Sequence, residues 1–249
     1  MLSKSQISLI KSLHLKKFRN IHKLFIVEGL KSITEFIHED YTLHSIYYLP
    51  EMSPKVVNFL QDIKGNEISS NELKKISALT APQGILAVFK IPQYDFNLED
   101  LRSKFTFALD FIQDPGNLGT IIRTADWFGL STLICSMDTA DIYNPKVIQA
   151  SMGSLSRIKV FYCDLKELLS TCRLKVYGAV LNGKSLYESN FNDEGIILLG
   201  NEGSGIRPDL IPFISERITI PQYGKAESLN VAVSSAIICS EIIRKIKKT

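Results

Sequence analysis

The sequence has 249 residues, enough for one large domain or two smaller ones with a buried core. Hydrophobic residues make up 45% of it, yet no run approaches the roughly 18 apolar residues that a membrane-spanning helix needs, so no membrane partner is expected. A net charge of +3 does not by itself imply nucleic acid, and the opening residues alternate charge with apolar side chains where a signal peptide would carry an apolar core, which predicts a cytoplasmic protein.

The first acid in the chain is Glu28. Before it stand Lys4, Lys11, Lys16, Lys17, Arg19 and Lys23, with His14 and His22 beside them. Such a set can neutralise phosphates along one helix face, or can form an ordinary solvated basic face. Apolar spacing predicts helices over residues 8–18 and 32–38, around 55–63 and over 72–79. Between them LFIVEG, HSIYYLP, NEISS and ILAVFKIP read as strands, two of them ended by Pro50 and Pro92. Residues 1–92 are therefore expected to form a small three-layer α/β domain. Residues 93–104 are polar and aperiodic and read as a linker.

A second alternation occupies residues 105–249. FTFALDF is apolar enough to be a central strand covered on both faces. It runs into IQDPGNLGTIIRTADWFG, where Pro115, Gly116 and Asn117 make a turn and Asn117 is placed to cap a helix. Leu118, Ile121, Ile122, Ala125 and Phe128 form that helix's apolar stripe, and Arg123, about 140° around from Leu118, falls outside it. LSTLICS, RIKVFYC, KVYGAVL and GIILLG read as further strands. Asn144-Pro145 starts one helix and LKELLSTC forms another. The glycine-rich turn GNEGSGI precedes Pro208-Asp209-Leu210 and a short helix. The strand at residues 218–220 stops at Pro221, and Ser228 stands as N-cap before Leu229, Ala232, Val233, Ala236 and Ile237. Strand, turn, helix in regular order predicts a mostly parallel sheet with its loops gathered at the strand C-termini.

Several chemistries lack their residues. GNEGSG has neither the order nor the place of a dinucleotide fingerprint, and no Walker lysine follows it. Cys135, Cys163, Cys172 and Cys239 are scattered without a CxxC pair, and are expected to be reduced and structural. All four histidines, His14, His22, His38 and His44, lie in the first section without ligand spacing, so neither a metal site nor a histidine-based triad is expected.

Three loops remain, carrying Asn117 with Arg123, Asn201 with Glu202, and Ser228 with Asn230. In order, content and spacing, DPGNLGTIIRTADWFG, ILLGNEGSGI and ITIPQYGKAESLNVAVSSAI resemble the three motifs of the SpoU (TrmH-like) branch of the SPOUT RNA methyltransferases. KSLHLKKFRN and LFIVEGLK are similar to the opening of that family's substrate-binding domain, so the resemblance covers nearly the whole chain. It implies a parallel sheet with a trefoil knot, S-adenosylmethionine as cofactor, and methyl transfer to a ribose 2′-hydroxyl of RNA. By family association ribosomal RNA of the large subunit is the expected target. Transfer RNA, or RNA binding without turnover, is the alternative.

Residue by residue, the resemblance assigns Arg123, Asn117, Glu202, Ser228 and Asn230 to catalysis. Gly200, Asn201, Gly203, Ile220, Ser228 and Leu229 fall at the cofactor, with Gly205 suited to a positive φ. Two roles stay open for Arg123, whose guanidinium is of a type charged at any physiological pH. It accepts the 2′-OH proton once phosphate and Glu202 prepare it, or it anchors the phosphate and orients the ribose. Lys11, Lys16, Lys17, Arg19 and Lys23 are expected to grip RNA. A homodimer formed through the C-terminal domain is also implied.

Overall fold

The apolar periodicity resolves into an alternation of short helices and strands. The structure, a computed structural model, describes residues 1–60 and 65–247, and of residues 57–60 the backbone alone. In chain order the elements are α1 (Lys4–Ser12), α2 (Lys16–His22), β1 (Leu24–Glu28), α3 (Leu30–His38), β2 (Leu43–Tyr48), α4 (Ser53–Leu60), β3 (Asn66–Glu67), α5 (Ser70–Ile76) and β4 (Ile85–Lys90). They continue as β5 (Phe105–Leu109), α6 (Pro115–Trp127), β6 (Thr132–Ser136), α7 (Pro145–Ser151), β7 (Lys159–Cys163), α8 (Leu165–Thr171), β8 (Val176–Ser185), β9 (Gly195–Leu199), β10 (Glu216–Thr219) and α9 (Val231–Ile246). Met1–Gln93 with Asp141–Ser156 form one compact unit, and Tyr94–Ala140 with Arg157–Thr249 form the other. Residues 141–156, which carry α7, thus make their contacts with the first unit although they interrupt the second in sequence.

In the first unit the strands lie in the order β1-β4-β2-β3, with β4 antiparallel to both neighbours and β3 parallel to β2. Side chains alternate across this sheet. Leu24, Ile26, Leu86 and Val88 pack with Ile10 and Leu13 of the N-terminal segment and with Leu73 and Ile76 of α5. Phe25 and Phe89 form a ring cluster with Phe36, which Tyr41 meets edge-on and Tyr143 meets at a tilt. Helices cover both sheet faces, and each buried Leu, Ile or Phe contributes about 1.5–3 kcal/mol.

Local chemistry moves several expected boundaries. The single helix at residues 8–18 is two helices, because Leu15 adopts extended backbone, φ −103° and ψ 131°. That break frees the Leu13 carbonyl, which accepts from Arg19 Nη1 at 2.8 Å. α5 starts earlier than expected, at Ser70, because Ser69 and Glu72 close a capping box ahead of it. The helix expected around 55–63 begins at Ser53, and its far end lies outside the described residues. In the second unit Pro208, Asp209 and Leu210 form a turn, and the short helix expected with them is one 3-10 turn at Ile211–Phe213.

The second unit is built on six strands in the order β10-β8-β9-β5-β6-β7, and every neighbouring pair is parallel. β5, β6 and β9 are buried along their whole lengths, as central strands covered by helices must be. From β5 the chain builds outward to β6 and β7, then crosses over to build β8, β9 and β10 on the other side. The direction in which strands are added to the sheet therefore reverses between the adjacent parallel strands β5 and β9. Ligands of open parallel sheets bind at such a switch point, beyond the strand C-termini.

Candidate functional site at the strand C-termini

Beyond β5, Asp114 caps α6, its Oδ1 accepting from Asn117 N at 2.8 Å, and Pro115 occupies the first helical position. Asn117 is consequently not the cap. It sits inside the first turn with its amide free to reach sideways. Its Nδ2 donates to Glu202 Oε1 at 2.6 Å, and its Oδ1 accepts from Asn230 Nδ2 at 2.9 Å. Asn230, not Ser228, is the N-cap of α9: its Oδ1 accepts from Ala232 N at 2.9 Å and Val233 N at 3.3 Å. These contacts define one chain, Glu202–Asn117–Asn230–α9. Glu202 is an acceptor and the helix N–H groups are donors, so both amide orientations follow from the ends of the chain.

Glu202 is held by a preformed loop. Asn201 and Gly205 exchange two backbone hydrogen bonds, Asn201 N to Gly205 O at 3.0 Å and Gly205 N to Asn201 O at 2.9 Å. The Asn201 side chain accepts from Gly203 N at 2.9 Å and Ser204 N at 3.1 Å, and its Nδ2 donates to Phe111 O at 3.0 Å. Two glycines make the turn possible. Gly205 has φ +70°, and a Cβ on Gly200 would fall 2.2 Å from the Gly205 carbonyl carbon.

The remaining expected residues are placed less tightly. Arg123 is exposed on α6, about 9 Å along the axis from Asn117. Ser228 is exposed two residues ahead of the α9 cap, Leu229 is 47% exposed, Ile220 is half-buried, and Gly203 is exposed on the loop. In the first unit Lys11, Lys16, Lys17 and Lys23 are exposed. Arg19 is a correction: it is buried, and its Nε and Nη2 donate to Asp141 Oδ2 at 2.9 and 2.5 Å. A guanidinium consumed in this way is not available to an RNA phosphate.

Asp114 was missed although Asp114-Pro115 carries the same cap-then-proline signal as Asn144-Pro145, where Asn144 does cap α7. The cysteines are all free thiols; burial pushes Cys163 up to about 11 and Cys239 up to about 12, so these two are not thiolates at neutral pH. Among the described residues no group of three or more His, Cys, Asp or Glu side chains could hold a metal ion, and no helix is long and apolar enough to cross a membrane.

Comparison with known proteins finds two matching family models. The SpoU rRNA Methylase family model matches residues 104–240, and the MRM3-like substrate binding domain model matches residues 4–87. The chain is 32% identical to the 23S rRNA (guanosine(2553)-2'-O)-methyltransferase RlmP of Bacillus subtilis (strain 168), over 92% of each chain. It superposes on the solved structure of a TrmH-family protein from Porphyromonas gingivalis with a TM-score of 0.89 and 38% identity, covering 98% of this chain and 99% of that one. The AdoMet-bound rRNA methyltransferase of Sinorhizobium meliloti is similar at a TM-score of 0.85 and 27% identity, over 98% of this chain and 97% of that one.

Proposed function

The chain belongs to the SpoU rRNA methylase family, and from that premise we propose that it transfers a methyl group from S-adenosylmethionine to a ribose 2′-hydroxyl of large-subunit ribosomal RNA. One observation carries the site assignment: Glu202, Asn117 and Asn230, from three separated motifs, join in one hydrogen-bonded chain at the switch point of the parallel sheet. Among side chains these are amides and a carboxylate, suited to aligning a ribose and steering a proton.

The loop residues fit the cofactor. Backbone at Gly200 and Gly203 is bare of side chain, while half-buried Ile220 and exposed Leu229 offer apolar contact to a nucleoside. Asn201 and Ser228 complete that set, Asn201 by shaping the loop. When bound, S-adenosylmethionine supplies a sulfonium methyl carbon that is already strongly electrophilic. The chain's task is then to hold the 2′-oxygen in line with that carbon and to receive the hydroxyl proton. In our reading Arg123 anchors the adjacent phosphate, Glu202 is fixed by Asn117, and Ser228 and Asn230 border the ribose. A base role for Arg123 is the competing assignment. Arg123→Lys keeps charge and loses the fork, so near-wild-type activity in that variant would count against both.

Residues 1–92 serve as the RNA-binding domain, residues 93–104 as the linker and residues 105–249 as the methyltransferase domain. Lys11, Lys16, Lys17 and Lys23 supply phosphate contacts that leave sequence unread. The family's trefoil knot belongs to the same reading and is assigned to the C-terminal segment. A homodimer through the C-terminal domain is supported by exposed Trp127 and Val233 on α6 and α9, which pack together. A cytoplasmic location belongs to the same reading.

The test is incubation with labelled S-adenosylmethionine and, separately, unmodified large-subunit ribosomal RNA and bulk transfer RNA. Label in an alkali-resistant dinucleotide from ribosomal RNA is the expected result. Label in transfer RNA alone would move the target, and cofactor binding without transfer to either would reject both RNAs. Absence of both binding and transfer would leave an RNA-binding protein without turnover.

A further inference from the structure

The Glu202 loop is tied to the end of β5 at two points, and only one of them lies within the loop itself. Asn201 Nδ2 reaches Phe111 O. On the far side of the loop, Arg207 wraps the carboxylate of Asp110: its backbone N donates to Oδ2 at 2.8 Å and its Nε to Oδ1 at 2.6 Å. Asp110 is fully buried, whereas the Arg207 side chain is 40% exposed. A buried carboxylate demands its partners, so position 207 is set by Asp110 and not by solvent. Arg207 Nη1 extends the contact to Asp138 Oδ2 at 3.2 Å, and Asp138 Oδ1 accepts from Ser136 Oγ at 2.5 Å. Ser136 Oγ in turn accepts from Phe111 N at 2.9 Å. Phe111 itself stands at φ +59°, an unfavourable backbone for a residue with a Cβ, held by hydrogen bonds on both sides of its peptide.

We propose that Asp110 and Arg207 are positioning residues that fix the 200–206 loop, and with it both the cofactor-facing backbone and the place of Glu202 against Asn117. Resting on the functional reading above, this assigns the loop's geometry to a charge pair outside the three active-site amides and carboxylates. Neither side chain need touch substrate. The pair closes the loop from behind: Asn201 and Gly205 pinch its neck, Asn201 ties one end to Phe111, and Arg207 ties the other to Asp110.

Removing the guanidinium leaves a buried carboxylate held by one backbone N–H, so the loop must shift or the carboxylate must hydrate. Removing both charges relieves that cost without restoring the fork. The experiment therefore compares Arg207→Lys, Arg207→Met, Asp110→Asn and the double variant Asp110→Asn/Arg207→Met in the full chain. Calorimetric affinity for S-adenosylmethionine, affinity for an unmodified large-subunit ribosomal RNA transcript, turnover and thermal midpoint are measured for each. Arg207→Met should weaken cofactor affinity about tenfold or more, the scale of a lost charge-assisted hydrogen bond, and lower turnover, with RNA affinity within about twofold of wild type. Arg207→Lys should fall between. In the double variant the thermal midpoint should recover while cofactor affinity does not. Cofactor affinity that tracks the thermal midpoint through all four variants would reduce the pair to a structural role and overturn the proposal, as would wild-type affinity in Arg207→Met. Wild-type protein that fails to bind S-adenosylmethionine would instead remove the functional reading itself.

Discussion

Asn117→Ala is the substitution that best separates positioning from folding at this site. It deletes two hydrogen bonds, to Glu202 at 2.6 Å and from Asn230 at 2.9 Å, while the α6 cap at Asp114 stays intact. In a buried setting those bonds would be worth about 1.5–3 and about 1 kcal/mol. Both are exposed, however, so water replaces them in the variant and the stability loss should stay below about 1 kcal/mol. Activity responds to a different quantity. Glu202 loses its fixed side-chain position, and a misplacement of about 1 Å near the reacting atoms is worth on the order of a hundredfold in rate. Turnover under single-turnover conditions, set beside a denaturant midpoint, reads the two effects separately. Asn230→Ala is the control: it breaks the same chain and also uncaps α9, so it should lose about 1 kcal/mol of stability in addition to activity. If Asn117→Ala turns over like wild type, or if its loss of rate is matched by a loss of stability as large as that of Asn230→Ala, the reasoning fails.

Charge reversal at both Lys16 and Lys17 should weaken RNA binding and flatten its logarithmic salt dependence by roughly 1.5–2, leaving cofactor affinity unchanged; equal loss of both affinities would sink the RNA assignment of these lysines. Arg19→Met should act oppositely, destabilising the protein by about 3–5 kcal/mol in a denaturant titration because Asp141 is left without its guanidinium, and Arg19→Met/Asp141→Leu should regain much of that. The Glu72 carboxylate is held down to about 2, against an ordinary 4.5, by the backbone N–H of Ser69 and then that of Leu2. Its folded-state value is depressed, so its contribution is complete above the ordinary carboxylate range and fades as pH falls toward about 2. Glu72→Gln should flatten that acid limb of a stability-against-pH curve.

How far the chain was readable depended on the range of the interaction. β5, β6 and β9 declare themselves as apolar runs ended by turn residues, because a strand covered on both faces has no polar positions to confuse it. The basic opening misled at one residue. Arg19 looks like its neighbours in sequence, but its partner Asp141 is 122 residues away, and no local pattern can announce a pair at that separation. The same segment, Asp141–Ser156, joins the first unit through contacts such as the 4.6 Å ring pair of Tyr143 with Phe25. A linear division at residues 93–104 has no means of seeing it.

The two misplaced helix caps share a physical cause that bears on function. Serine and asparagine cap helices about equally well, so capping preference alone cannot choose between Ser228 and Asn230, nor place Asn117 outside the helix it belongs to. A second requirement decides both. Asn230 must accept from α9 and donate to Asn117, and an amide carries acceptor and donor on separate atoms, where a serine hydroxyl would have to serve both from one oxygen. Likewise Asn117 must donate to Glu202 while accepting from Asn230, which requires it to be free of capping, and Asp114 takes that duty. The cap of α9 is thereby wired to the carboxylate, and residues 228–229 are left ahead of the helix as exposed loop, where a ligand over the strand ends would meet them. Any change that shifts the α9 start by a turn must therefore move the amide on which the Glu202 chain ends.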